Sequence, residues 1–257
     1  MGDGRIIFEH ERVELAKVAK LVYERKLTNT VGGNISMKVH DEDGNSFYIM
    51  TPTMMSEAYL GHLSPEQILV IEPHTRKIAS GVGNLTREIN MHEAVYDANP
   101  NIMCVFHSHA PNALAWATSG LPMPNLTEAT QKVKGITTLK FEPNCSESLA
   151  ELVGEHISNH IASLKTQGVS EDKSQHMYLL NSHGVLATTI ADNPVAALHK
   201  ALAIVDTVET NAIAVNLQLE LIQQEVLDGF YSKGVKVATL DELKEKKEIW
   251  NEEVFVK

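Results

Sequence analysis

His107-Ser108-His109 follows the apolar run of residues 102 to 106. Two imidazoles two residues apart on a strand point to the same face, which is metal-ligand geometry. A third histidine, His183, stands at the end of a second buried-looking run, residues 177 to 180, after the polar pair Asn181-Ser182. Three neutral imidazoles suit a catalytic Zn²⁺ or another divalent ion with an open coordination position. The competing reading is that these are ordinary strand-end histidines. For the His-x-His pair alone the two readings are balanced, and the second strand-end histidine favours the metal.

The elements that must carry these residues alternate along the chain without a low-complexity break. Residues 9 to 26 read as an amphipathic helix laid on a core. Strands at 34 to 39 and 46 to 50 flank the turn-rich Asp41-Glu42-Asp43-Gly44-Asn45, so an antiparallel pair is expected. Ser64-Pro65-Glu66-Gln67 has the form of a capped helical turn leading into a strand at 68 to 71. Thr86 is the expected N-cap of a helix over 87 to 98, ended by Asn99-Pro100, which puts Glu88 in its first turn. A strand at 102 to 107, helices at 111 to 118 and 146 to 164, strands at 177 to 181 and 185 to 189, and a long helix over 194 to 227 follow. From about residue 236 the chain carries a charged tail of helical character without assignable chemistry. A mixed sheet covered by helices on both faces buries these elements economically, and residues 1–257 are expected to form a single domain with that tail.

Beside the histidine segments stand Thr30-Val31-Gly32-Gly33-Asn34-Ile35-Ser36, Met50-Thr51-Pro52 and Thr86-Arg87-Glu88-Ile89-Asn90-Met91-His92. In order and spacing these five separated motifs resemble the class II aldolase/adducin family over approximately residues 10 to 220. The resemblance implies an α/β fold, a three-layer α/β/α domain with a mixed, largely antiparallel central sheet. It also implies a metal held by His107, His109 and His183, with Glu88 as the acid/base glutamate that can ligate the metal when substrate is absent. Taken by itself, Glu88 reads first as a residue favoured at a helix start by the macrodipole, and the resemblance reverses that preference. His92, four residues on, could reach the same face, but a helical histidine is more often a packing group and it is not assigned as a ligand.

The chemistry so implied is a retro-aldol cut in a hydroxylated keto compound, such as a sugar phosphate. Cleavage leaves an enediolate, whose charge a divalent ion, zinc first among them, stabilises as a Lewis acid. A carboxylate in a low-dielectric pocket can have the raised pKa needed to move the proton at the enediolate carbon. The same metal site would also serve epimerisation, dehydration or decarboxylation of a sugar phosphate or oxo-acid. A non-catalytic adducin-like interaction domain is the reading that three retained histidines and Glu88 argue against.

Family enzymes cradle phosphate with the glycine-rich Asn turn, a Thr-Pro-Ser-Gly segment and two serines before the glutamate, which makes Gly33, Asn34, Thr51, Thr86 and Arg87 the expected substrate-binding positions. Here the second element reads Thr51-Pro52-Thr53-Met54 and the third Thr86-Arg87. Arg87 either offers a charged fork to a phosphate or carboxylate or is a solvated arginine. The family also takes a tyrosine from a neighbouring subunit. Tyr231 is the one C-terminal tyrosine available and it matches no family motif.

Composition bounds the partners. A net charge of −11 and the lack of any Lys/Arg block argue against nucleic acid. The most apolar helical stretch, residues 196 to 215, carries His199, Lys200, Asp206, Glu209 and Asn211, which argues against a membrane span. Cys104 and Cys145 show no redox or metal pairing, and Cys104 reads as a buried thiol. A cytoplasmic enzyme acting on a small molecule is expected, and the resemblance implies a homotetramer with active sites between subunits.

Overall fold

The computed structural model describes the backbone of residues 7–133, 136–168 and 176–232. The charged tail from about 236 and the side chain of Tyr231 lie outside the described residues. In chain order the elements are α1 (Glu9–Glu24), β1 (Asn34–His40), β2 (Ser46–Met50), β3 (Leu69–Ile71), β4 (Ile78–Ser80), α2 (Ile89–Ala98), β5 (Cys104–Ser108), α3 (Pro111–Ala117), β6 (Ile136–Leu139), α4 (Glu147–Thr166), β7 (His176–Leu180), β8 (Gly184–Thr189) and α5 (Pro194–Ser232).

The strands form one sheet in the order β4-β3-β2-β1-β5-β8-β7-β6. Every neighbouring pair is antiparallel except β6 with β7. Period-two alternation sends successive side chains into two separate cores. Ile35 and Met37 of β1, Cys104 and Phe106 of β5 and Leu179 of β7 pack with α1, α3 and α5. Val105, Tyr178 and Leu180 pack on the other face with α2 and α4. The result is the expected three-layer α/β/α arrangement with a mixed, largely antiparallel sheet.

Two short strands, β4 and β6, were not anticipated from sequence. Both are sheet edges of three and four residues, too short to display an alternation. The start of α2 also differs from expectation. Helix begins at Ile89, and Glu88 occupies the N-cap position with φ −87° and ψ 8°. Thr86 acts one step earlier, its Oγ1 accepting the Glu88 N–H at 3.3 Å. Glu88 therefore sits at the junction of loop and helix, where its side chain can turn toward the sheet. Among the described residues no helix is long and apolar enough to cross a membrane.

Candidate metal centre

Strand β5 is flanked by β1 and β8 in the sheet and carries His107, with His109 one residue past its end at Ser108. His107 lies opposite Asn34 of β1 and opposite Leu186 of β8. His183 reaches the same place from the tip of the β7–β8 hairpin. The three-residue loop Asn181-Ser182-His183 closes with the His183 N–H donating to the Leu180 carbonyl at 3.0 Å, and Ser182 takes a left-handed φ of 58° to make the turn. The imidazole centroids of His107, His109 and His183 lie 4.7 to 5.2 Å apart. One ligand nitrogen from each falls within 4.8 Å of the others.

The His107 tautomer follows from its neighbour. Nδ1 stands 2.9 Å from the Val185 carbonyl oxygen, which can only accept, so Nδ1 carries the hydrogen and Nε2 keeps its lone pair for a ligand. Burial pushes His107 down to about 4 and His109 down to about 3, with Glu88 pulling both the other way. At neutral pH these rings are uncharged, the form that binds metal.

Glu88 Oε2 lies 3.4 Å from His107 Nε2 and Oε1 lies 3.0 Å from His183 Nε2. The raised pKa expected for this carboxyl is not what its surroundings produce. Burial does push it up, but the His183 ring and the amide donor of Asn34, both within hydrogen-bond reach, with His107 adding to them in its charged form, outweigh burial and hold it well below the usual carboxylate range. The centre thus joins a buried carboxylate to three imidazoles. His183 Nδ1 is buried without a hydrogen-bond partner, and such an atom is costly unless a ligand completes it. The donor set, imidazole nitrogens plus one carboxylate, fits a divalent ion of the zinc type.

Residues 13–212 match the family model for the class II aldolase and adducin N-terminal domain. The chain belongs to that family. A curated L-fuculose phosphate aldolase of Methanococcus maripaludis is 35% identical over 157 residues, 61% of this chain and 81% of its own length. A solved structure of an L-fuculose 1-phosphate aldolase superposes with a TM-score of 0.63 at 21% identity, covering 93% of this chain and 95% of that one, a likeness of fold. A 3-oxo-tetronate 4-phosphate decarboxylase of Cupriavidus necator is 26% identical over 114 residues, 44% of this chain and 48% of its own.

In this class II aldolase/adducin domain the expected substrate-binding positions have different surroundings. Gly33 is partly buried and Arg87 is exposed, whereas Asn34, Thr51 and Thr86 are buried with engaged side chains. Thr51 Oγ1 accepts the Ile35 N–H at 3.1 Å and Thr86 Oγ1 the Glu88 N–H. Their hydroxyls therefore hold the site's walls. The glycines allow close approach. A Cβ on Gly32 would stand 2.0 Å from the His109 ring, and one on Gly184 would stand 2.6 Å from the Ser108 carbonyl oxygen and 2.9 Å from His109. Thr28 fastens the same loop to the strand, donating to the Gly32 carbonyl at 2.8 Å while its Oγ1 accepts the His109 N–H at 3.3 Å.

Sequence reading did not assign Ser36, Tyr96 or His92 to the site, yet all three are buried in hydrogen-bonded contact behind Asn34. The available signal was the spacing of Glu88, His92 and Tyr96, four residues apart on one stripe of α2. The remaining histidines lie elsewhere. His176 packs against His160 with ring centroids 4.4 Å apart, and exposed His199 meets Glu14 at 3.3 Å.

Proposed function

We propose that this protein is a divalent-metal-dependent lyase that makes a retro-aldol cut in a hydroxylated keto compound, with zinc as the preferred ion. The convergence of three imidazole nitrogens beside the Glu88 carboxylate carries the reading. His107, His109 and His183 would hold the ion. When bound, it supplies the Lewis acidity that stabilises negative charge on the enediolate oxygens. Cleavage releases the substrate hydroxyl proton and consumes one at the enediolate carbon; Glu88, once protonated, delivers the latter, and as the resting carboxylate it removes that proton in the condensation direction. Arg87, exposed at the loop beside it, is the available cation for an acidic substituent on the substrate, a phosphate or a carboxylate.

The names of the Methanococcus relatives support a sugar phosphate as substrate. A decarboxylation of an oxo-acid phosphate at the same centre is the second reading, favoured by the match to the Cupriavidus enzyme. Both reactions generate the same kind of enediolate, so the metal site cannot choose between them. The chain is further proposed to work as a cyclic homotetramer with sites shared between neighbours, and in the cytoplasm.

Incubating the zinc-loaded protein with L-fuculose 1-phosphate, other ketose 1-phosphates and 3-oxo-acid phosphates tests the reading. Aldehyde release that stops with a chelator is expected. Carbon dioxide release without aldehyde would shift the assignment to decarboxylation. Zinc content unchanged by both His107→Ala and His183→Ala would overturn the metal site.

A further inference from the structure

We propose that His92, Ser36 and Tyr96 form a buried positioning chain that locks the Asn34 side-chain amide in one orientation, NH₂ toward Glu88, and so holds the reacting carboxylate in place. The proposal rests on the role given to Glu88 above.

The chain arises where two periodicities meet. On β1 the apolar Ile35, Met37 and Val39 enter the core beneath α1, α3 and α5, so alternation turns Asn34 and Ser36 to the α2 face. Polar side chains there are shut away from solvent, at 4% exposure for Asn34 and 0% for Ser36. Helix α2 answers with Glu88 at its N-cap and then His92 and Tyr96, each one turn further on and each buried. The contacts run in sequence. Asn34 Nδ2 lies 2.6 Å from Glu88 Oε2, His92 Nε2 lies 2.6 Å from Asn34 Oδ1, Ser36 Oγ lies 2.7 Å from His92 Nδ1, and Tyr96 OH lies 2.8 Å from Ser36 Oγ.

With Glu88 a carboxylate and His92 a neutral ring, one arrangement of hydrogens satisfies all four contacts. A carboxylate accepts and never donates, so Asn34 must turn its NH₂ to Glu88 and its Oδ1 to His92. His92 must then carry its hydrogen on Nε2. As a neutral ring it accepts at Nδ1, which obliges the Ser36 hydroxyl to donate there and to accept from Tyr96 in turn. Burial, reinforced by His107, pushes His92 down to about 3, which keeps the ring neutral over the working pH range. The amide in the middle has no proton it can pass along, so the chain is no relay, and its effect is orientation. Asn34 also lies opposite His107 in the β1–β5 register. Fixing its amide therefore fixes Glu88 relative to the strand that carries the metal ligands. Without the Nε2–H of His92 the amide can turn over and present its carbonyl oxygen to the carboxylate, which repels it.

The test uses the zinc-loaded enzyme and the variants His92→Leu, His92→Gln and Ser36→Ala. Long-range ¹⁵N NMR of labelled histidine should show the Nε2–H tautomer at His92 in the wild type. His92→Leu should keep its zinc and its KM and lose about ten- to a hundredfold in kcat, the usual cost of removing a group that orients a metal-site residue. His92→Gln, whose amide can still donate to Asn34 Oδ1, should recover most of that loss, which mere refilling of the space would not do. Ser36→Ala removes a single hydroxyl from a strand and should lower kcat while producing a second tautomer at His92, which keeps the question answerable if His92→Leu does not fold. An Nδ1–H tautomer in the wild type, wild-type kcat in Ser36→Ala, or a glutamine variant no better than the leucine one would each overturn the proposal. A wild type without cleavage activity would remove the role of Glu88, and the tautomer measurement would still decide the orientation of the chain.

Discussion

Glu88 is asked to hold a proton at one stage and release it at another, and its surroundings set the direction of bias. Two imidazoles and the Asn34 amide favour the carboxylate over the acid, so its resting task is that of a base. Replacing it by glutamine preserves size and removes the proton-accepting oxygen. Glu88→Gln is expected to keep its zinc and to lose about a hundredfold or more in turnover. Exchange of the enediolate-forming C–H with deuterated water, followed by NMR, reads this step directly, and exchange at the wild-type rate would assign the proton to another group. Gly32 makes a separate prediction. Its absent side chain is the space in which the His109 ring stands, and the ring, being the freer partner, will move if that space is filled. Gly32→Ala should fold and lose at least about tenfold in zinc affinity by calorimetric titration, whereas unaltered affinity would show that the loop rather than the ring gives way. The three histidines could be read from sequence because a strand's period of two is local. The chain behind Asn34 could not, because it needs a strand and a helix 56 residues apart, joined at Ser36 and His92, to face each other across the sheet.

At the scale of elements, the site depends on helices held from a distance. Helix α3 follows His109 directly, and its N-terminus is closed from α5 rather than by its own cap. Glu209, buried, accepts from the Asn112 and Ala113 N–H groups at 2.9 Å each and from Asn112 Nδ2 at 2.7 Å. These donors would otherwise be orphaned in the first turn. Glu209→Ala should therefore cost about 2 kcal/mol of stability, measurable as a lower urea midpoint with unchanged slope, and a loss under about 0.5 kcal/mol would show that water replaces the carboxylate. In sequence Glu209 is one charge interrupting an apolar helix, which argued against a membrane span, and its real partner lies 97 residues away from it. Long amphipathic helices and alternating strands were legible for the same reason that α3's cap was not: periodicity is written within an element, and capping across elements is not. The edge strands β4 and β6 belong with the illegible part, since pairing with β3 and β7 supplies the regularity their few residues cannot.

For the whole molecule, assembly turns on what borders the centre. The loops beside it carry aliphatic side chains in water: Val31 is 77% exposed, Val82 70% and Met54 50%. Val31 adjoins the glycine that abuts His109, and the Met54 and Val82 loops are tied together by the Thr53 N–H donating to the Asn84 carbonyl at 2.9 Å. Large exposed apolar side chains on neighbouring loops point to a covered surface rather than a solvated one. A second copy of the chain is the expected cover, because the family resemblance calls for a ring of four and a ring closes through heterologous contacts that bring one subunit's rim against another's flank. Sedimentation velocity at micromolar concentration should then give a tetramer, and Val82→Asp, which places charge in that contact without touching the histidines, should shift the boundary to smaller species. If the sites are shared, activity should fall in step with the tetramer fraction while zinc per chain stays constant. A monomeric wild type under active conditions would refute the ring, and a Val82→Asp protein that assembles normally would move the interface to another face.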